Sequence, residues 1–126
     1  MSDNKESIQQ LTDRDAAWRA ELRKAIATPQ RTAIPRARMT ELDPAYRITN
    51  SEEVAQGLTA EQALVEASRC LDCPNPTCVT GCPVNINIPS FIKNIQRGHF
   101  DDAARVLRDT SALPAVCGRV CPQESQ

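Results

Sequence analysis

Six cysteines, all beyond residue 69, place the strongest constraint on this chain of 126 residues. They fall as Cys70-x2-Cys73-x4-Cys78-x3-Cys82-Pro83 and then, thirty-five residues on, as Cys117-x3-Cys121-Pro122. The N-terminal stretch from Met1 to Leu11 is polar and lacks the apolar run of a secretory signal. That predicts a cytoplasmic chain whose thiols stay reduced, and a crowd of reduced thiols is explained better by metal than by disulfides.

Spacing points to the kind of metal. Cys70, Cys73 and Cys78 lie within nine residues, and a loop of that length curls around one cubane cluster and offers sulfur from several directions. In two-cluster ferredoxins the last cysteine of such a run, the one before proline, ligates the other cluster. Cys82 and Cys121 both precede proline, so they are assigned to a second cluster. Thiolates suit the task because soft sulfur holds iron in mixed valence, and Val79, Val84, Ile86, Ile88 and Val116 are expected to wall the site from water. The alternative is a zinc-stabilised, non-redox subunit-interaction module using Cys70, Cys73, Cys78 and Cys82. It leaves the second Cys-x3-Cys-Pro unexplained. Cys117 stands as either a ligand or a structural thiol.

The rest of the chain excludes several classes. A formal charge of -1 (nine basic and seven acidic residues up to residue 50, six and nine after it) offers no polyanion surface, so no nucleic-acid partner is expected. No apolar run approaches the ~18 residues of a membrane span. The glycines stand singly at 57, 81, 98 and 118, which rules out a Gly-rich phosphate loop, and no Ser/His/Asp or Cys/His catalytic set can be assembled. With four aromatic residues, Trp18, Tyr46, Phe91 and Phe100, the core must be thin.

Periodicity predicts an all-α chain of short helices and cysteine loops, preceded by a helix and an extended arm. Thr12 is placed to cap a helix from Asp13 to about Thr28, with Trp18, Leu22 and Ile26 on one buried face. Pro29, Pro35 and Pro44 then mark residues 29–50 as the arm. Thr59 and Gln62 have capping-box spacing and start a helix carrying Ala63, Leu64, Ala67 and Leu71 into Cys70. Pro89 opens a helix with Phe91, Ile92 and Ile95 as its apolar face, ended by Gly98. Asp101 or Asp102 begins another with Ala103, Ala104, Val106 and Leu107, and a short one holds Val116 to Val120. His99 reads as a solvated turn residue, and Arg69 and Arg119 as neighbours able to tune a cluster or simply exposed.

Three stretches together are distinctive: ASRCLDCPNPTC at 67–78, GCPVNINIPSFI at 81–92, and Leu113-Pro114 followed by CGRVCPQE at 117–124. They resemble the N-terminal iron–sulfur domain of the small subunit of NADPH-dependent glutamate synthase, as do the arm from about Arg31 through Pro44 and the stretch 53–57. The same module resembles the N-terminal segment of dihydropyrimidine dehydrogenase and the large subunit of a bifurcating ferredoxin:NADP oxidoreductase. The resemblance implies an α-helical ferredoxin-like domain over residues 51–126, behind a helix and arm over 1–50, holding two [4Fe-4S] clusters ahead of FAD- and NADPH-binding domains. By position, Cys70, Cys73 and Cys78 would bind one cluster and Cys82 and Cys121 the other, with Cys117 doubtful. Family members carry further cysteines just past the last motif, so a C-terminally truncated domain is expected here, with FAD and NADPH sites beyond it. By the same resemblance, NADPH would reduce FAD and the electrons would pass toward FMN on a glutamate synthase large subunit that makes glutamate from glutamine and 2-oxoglutarate. The fragment itself is not expected to catalyse.

Overall fold

The computed structural model describes residues 6–125; residues 1–5 and Gln126, the two ends of the predicted segments, lie outside the described residues. All of its regular structure is helical, as the periodicity predicts, and the only β pairing among the described residues is one isolated antiparallel bridge between Glu41 and Ala55.

The N-terminal helix is the first departure from expectation. In place of one helix capped by Thr12 there are two, α1 (Ile8–Thr12) and α2 (Ala17–Ala25). Ser7 caps α1 reciprocally with Gln10, whose side-chain oxygen accepts from the Ser7 amide at 2.7 Å. Thr12 ends it instead, its hydroxyl donating back to the Ile8 carbonyl. The break follows from Asp13, whose carboxylate accepts from the Asp15 amide at 2.9 Å, a local turn that competes with helical bonding. Trp18, Leu22 and Ile26 are each half-buried, while the side chain of α2 that is buried outright is Arg19.

Pro29 and Pro44, read as helix breakers, both sit in helical first turns, where the missing N–H costs nothing. They belong to α3 (Thr28–Ala33) and α4 (Pro44–Arg47), so the expected arm is partly helical. Its extended part is tied down: the Leu42 amide donates to Val54, the Gln56 amide to Thr40, and the Ala37 amide to the Glu66 carboxylate at 2.8 Å.

Helix α5 (Ala60–Ser68) has the capping box that Thr59 and Gln62 predict. It stops one residue short of Arg69, so Leu71 lies outside it and is exposed. A single turn, α6 (Thr77–Thr80), lies inside the cysteine run and was not foreseen. Then come α7 (Ile88–Gln96), α8 (Phe100–Thr110), α9 (Pro114–Val120) and a closing 3-10 turn, Pro122–Ser125. Asp101 and Asp102 fall in the first turn of α8 rather than at its cap, where their charge suits the helix dipole. Helix α9 begins at Pro114 itself.

At the centre α7 packs between α5 and α8, with α1 and α2 laid across it. Leu11, Ala67, Ile86, Ala103 and Val106 make a small apolar core. Beside them, Arg19, Arg31, Asp72, Ser90, Lys93 and Asn94 are equally buried. The face of α7 that disappears is therefore the polar one, Ser90, Lys93 and Asn94, while Phe91, Ile92 and Ile95 are half-buried toward α5. Asn94 explains part of this, since its amide donates to the carbonyls of Leu11 and Ser90 and so joins α7 to α1.

Gly98 ends α7 with φ +82°, and a Cβ there would meet nothing within 4 Å. Gly98→Ala therefore has only backbone conformation against it. It is expected to lower stability by about 1–2 kcal/mol, with Gly98→Asn costing less, read by chemical denaturation.

Candidate metal centre

The site is built outward from the end of α5. The Cys70 amide still reaches back to the Ala67 carbonyl, after which the chain turns sharply at Asp72, φ +54°. Such a left-handed conformation is uncommon outside glycine, and Asp and Asn bear it best. Cys78 rides in the turn α6, Cys82 follows its end with its amide bonded to Val79, and a second left-handed residue, Asn85 (φ +50°), redirects the chain into α7.

None of the six cysteines is disulfide-bonded; Cys70, Cys82 and Cys117 are half-buried, and Cys73, Cys78 and Cys121 are exposed. Burial pushes the Cys78 thiol up, and the nearby sulfurs of Cys70 and Cys73 push it further, against the backbone N–H groups of Cys78 and Val79. Cys70 and Cys73 are thus close enough to Cys78 to oppose its ionisation. A cation bound among them would relieve that repulsion, so the donor set fits a thiolate-held metal group. Among the described residues no three His, Cys, Asp or Glu side chains converge tightly enough for a single metal ion. The other cysteines are placed differently. Cys117 lies 3.7 Å from the Ser111 hydroxyl, and Cys121 edges an open cleft with Met39, Glu53 and Arg119. Of the expected apolar walls, Ile86 is buried and Val79 and Ile88 half-buried, but Val84 and Val116 are exposed and shield nothing.

A layer of positive charge behind the cysteine loop escaped sequence reasoning. Arg19 grips the Asp72 carboxylate with both Nε (3.0 Å) and Nη2 (2.6 Å), and Arg23 adds Nη1 at 2.7 Å. Arg14 donates to the Asp72 carbonyl at 3.1 Å. Lys93, fully buried, donates to the Cys70 carbonyl at 2.8 Å and to Gln96 at 2.7 Å. Burial pushes the Lys93 amine down to about 8, in part offset by the attraction of Cys70. Arg31 bonds the Ser68 carbonyl at 2.7 Å and also the Leu22 carbonyl. Burial of Asp72 would raise its carboxyl, but the Arg19 and Arg23 bonds outweigh that and hold it below the usual carboxylate range. The one sequence signal was the i, i+4 spacing of Arg19 and Arg23, which puts both on one helix face.

Arg69 and Arg119 act elsewhere. Arg69 pairs with Glu66, its Nε buried without a partner, and Arg119 pairs with Glu53 at 3.1 Å across an exposed surface. His99 is exposed and 3.2 Å from Asp102.

Between residues 70 and 88, Asp72 and Ile86 alone are buried, and α9 buries nothing. In metal-free protein, amides of 73–85 and 115–125 are expected to exchange at near-unprotected rates while α7 and α8 stay protected. Strong protection throughout the cysteine loops would contradict this.

Short helices carrying a thiol-rich loop, with no sheet among the described residues, define an all-α cysteine-rich module. The family described as dihydropyrimidine dehydrogenase domain II, 4Fe-4S cluster, matches residues 47–126, and the chain belongs to it. It is similar to the glutamate synthase [NADPH] small chain of Escherichia coli K12, with 43% identity over 72 residues, 57% of this chain and 15% of the relative. The putative oxidoreductase UacF of the same organism is 38% identical over 85 residues, 67% of this chain and 13% of the relative. The NAD-dependent dihydropyrimidine dehydrogenase subunit PreT of Salmonella typhimurium is 42% identical over 73 residues, 58% of this chain and 18% of the relative. The chain therefore spans less than a fifth of these relatives. It is a 4Fe-4S electron-transfer module of the kind found in glutamate synthase small chains and related oxidoreductases. No helix among the described residues is long and apolar enough to cross a membrane.

Proposed function

We propose that this chain is the electron-transfer segment of a cytoplasmic, NADPH-dependent glutamate synthase-like enzyme, with residues 51–126 as its iron–sulfur domain. Cys70, Cys73 and Cys78 hold one [4Fe-4S] cluster, and Cys82 and Cys121 contribute to a second whose remaining ligands lie elsewhere in the protein. Cys117, beside Ser111, serves packing. The observation that carries this reading is the crowding of Cys70 and Cys73 near the Cys78 thiol on one loop, in a chain of an iron–sulfur family. A bound cluster supplies one-electron exchange. The chain's own work is to hold the thiolates, fix the loop from behind, and leave Cys73 and Cys78 open to a redox partner. That partner is a flavoprotein system: FAD and NADPH bound by further domains, and FMN on a large subunit that forms glutamate.

The test is iron, acid-labile sulfide and zinc content after anaerobic reconstitution of the full-length protein. About eight irons with matching sulfide are expected. One zinc without sulfide would replace this reading with a zinc-stabilised interaction module.

A further inference from the structure

The carbonyls of Ser68, Cys70 and Asp72, alternate residues through the first ligand loop, are taken by Arg31, Lys93 and Arg14. The Asp72 carboxylate between them is held by Arg19 and Arg23. These cations therefore end on the loop's own backbone and on the one left-handed residue that shapes it. The arrangement is expensive as mere stabilisation, since burying ion pairs rarely gains over packing apolar side chains. Its geometric specificity is high, because a bidentate guanidinium fixes the plane of the carboxylate it meets. The four arginines also lie at 14–31, ahead of the 47–126 stretch that matches the family.

We propose that Arg14, Arg19 and Arg23 are positioning residues of the first cluster site, fixing the 70–73 loop through Asp72 and setting positive charge behind its sulfurs. The proposal rests on the reading of this loop as a [4Fe-4S] site. Fixing Asp72 fixes the separation of Cys70 and Cys73 on either side of it. The charge acts on the potential, because net charge near a cluster favours or disfavours the added electron.

The experiment is an anaerobic redox titration of reconstituted full-length protein, following the reduced-cluster EPR signal that Cys73→Ala removes. Arg23→Gln leaves the Arg19–Asp72 pair intact, and Asp72→Asn keeps a side chain that tolerates the left-handed backbone. Losing a cation should lower the midpoint potential in Arg23→Gln, and losing an anion should raise it in Asp72→Asn, with Arg23→Lys returning toward wild type. Arg14→Gln, at a partly exposed side chain, should lower it too and serves if Asp72→Asn does not fold. A merely structural role moves no potential, so unchanged midpoints, or shifts of the same sign in Arg23→Gln and Asp72→Asn, overturn the clamp. Wild-type protein that takes up no iron and sulfide would instead overturn the cluster reading, and the clamp with it.

Discussion

Reconstituted full-length protein carrying Cys73→Ala is expected to lose about half of its iron and sulfide, while Cys117→Ala keeps the wild-type content. The contrast follows from position. Cys73 is exposed on the loop where it and Cys70 raise the Cys78 thiol. Cys117 is half-buried on α9 with its sulfur against Ser111. A cubane deprived of one of its thiolates is open to water and oxidant, so the loss should reach beyond a single iron. Cys70→Ala and Cys78→Ala should match Cys73→Ala, and Cys82→Ala should remove the other half. Iron loss in Cys117→Ala equal to that in Cys73→Ala would transfer the ligand role to Cys117.

A second large effect is expected at Arg19. Its side chain is buried and bonds Asp72 twice, the Ser90 hydroxyl at 2.8 Å and the Thr12 carbonyl at 3.1 Å. Arg19→Met fills similar space but leaves a buried carboxylate with one cation, so it should destabilise the fold by about 3–5 kcal/mol, measured by urea unfolding near neutral pH. Arg19→Met combined with Asp72→Asn should recover part of that loss, because the stranded charge is gone. The pH dependence has a definite sign. The Asp72 carboxyl is held below its unfolded value of 3.8, so the unfolded chain binds more protons as acid is added. The stability it contributes is complete above that value and is lost as pH falls through the folded pKa. Wild type should therefore lose stability below about pH 4, and the Arg19→Met penalty should shrink there. A penalty below about 1 kcal/mol at neutral pH, the size of an exposed pair, would show that Arg19 and Asp72 do not depend on each other.

Local chemistry was legible in the sequence where it acts over a few residues. Thr59 with Gln62, Pro89 and Gly98 each announced a helix end. Reading failed where a local bond competed with periodicity, as when the Asp13 carboxylate split one expected helix into α1 and α2. Proline is ambiguous in the same way, since it ends one helix and opens another, and Pro29 and Pro44 did the second. The largest omission was the charged core. Arg19 and Asp72 are 53 residues apart, and nothing in either neighbourhood says that the two meet. Hydropathy misleads here, because it places Arg19, Lys93 and Asn94 at the surface while each has its polar atoms satisfied inside.

The N-terminal helices are held by partners made much later in synthesis. Asn94 reaches the Leu11 carbonyl across 83 residues, and Arg105 reaches the Glu6 carbonyl across 99. At about 5–20 residues per second on the ribosome, Leu11 waits roughly 4–17 s for Asn94 to be joined to the chain. Through that interval Arg14, Arg19 and Arg23 have no α7 to lie on, and by its end all of Cys70, Cys73, Cys78 and Cys82 have been synthesised. The thiols are thus made before the element that closes behind them can dock, which gives the nascent chain a period when the loop is pliable. Metal delivery during translation and delivery to the finished fold are therefore kinetically different events for this protein, the first meeting a loose loop and the second a clamped one.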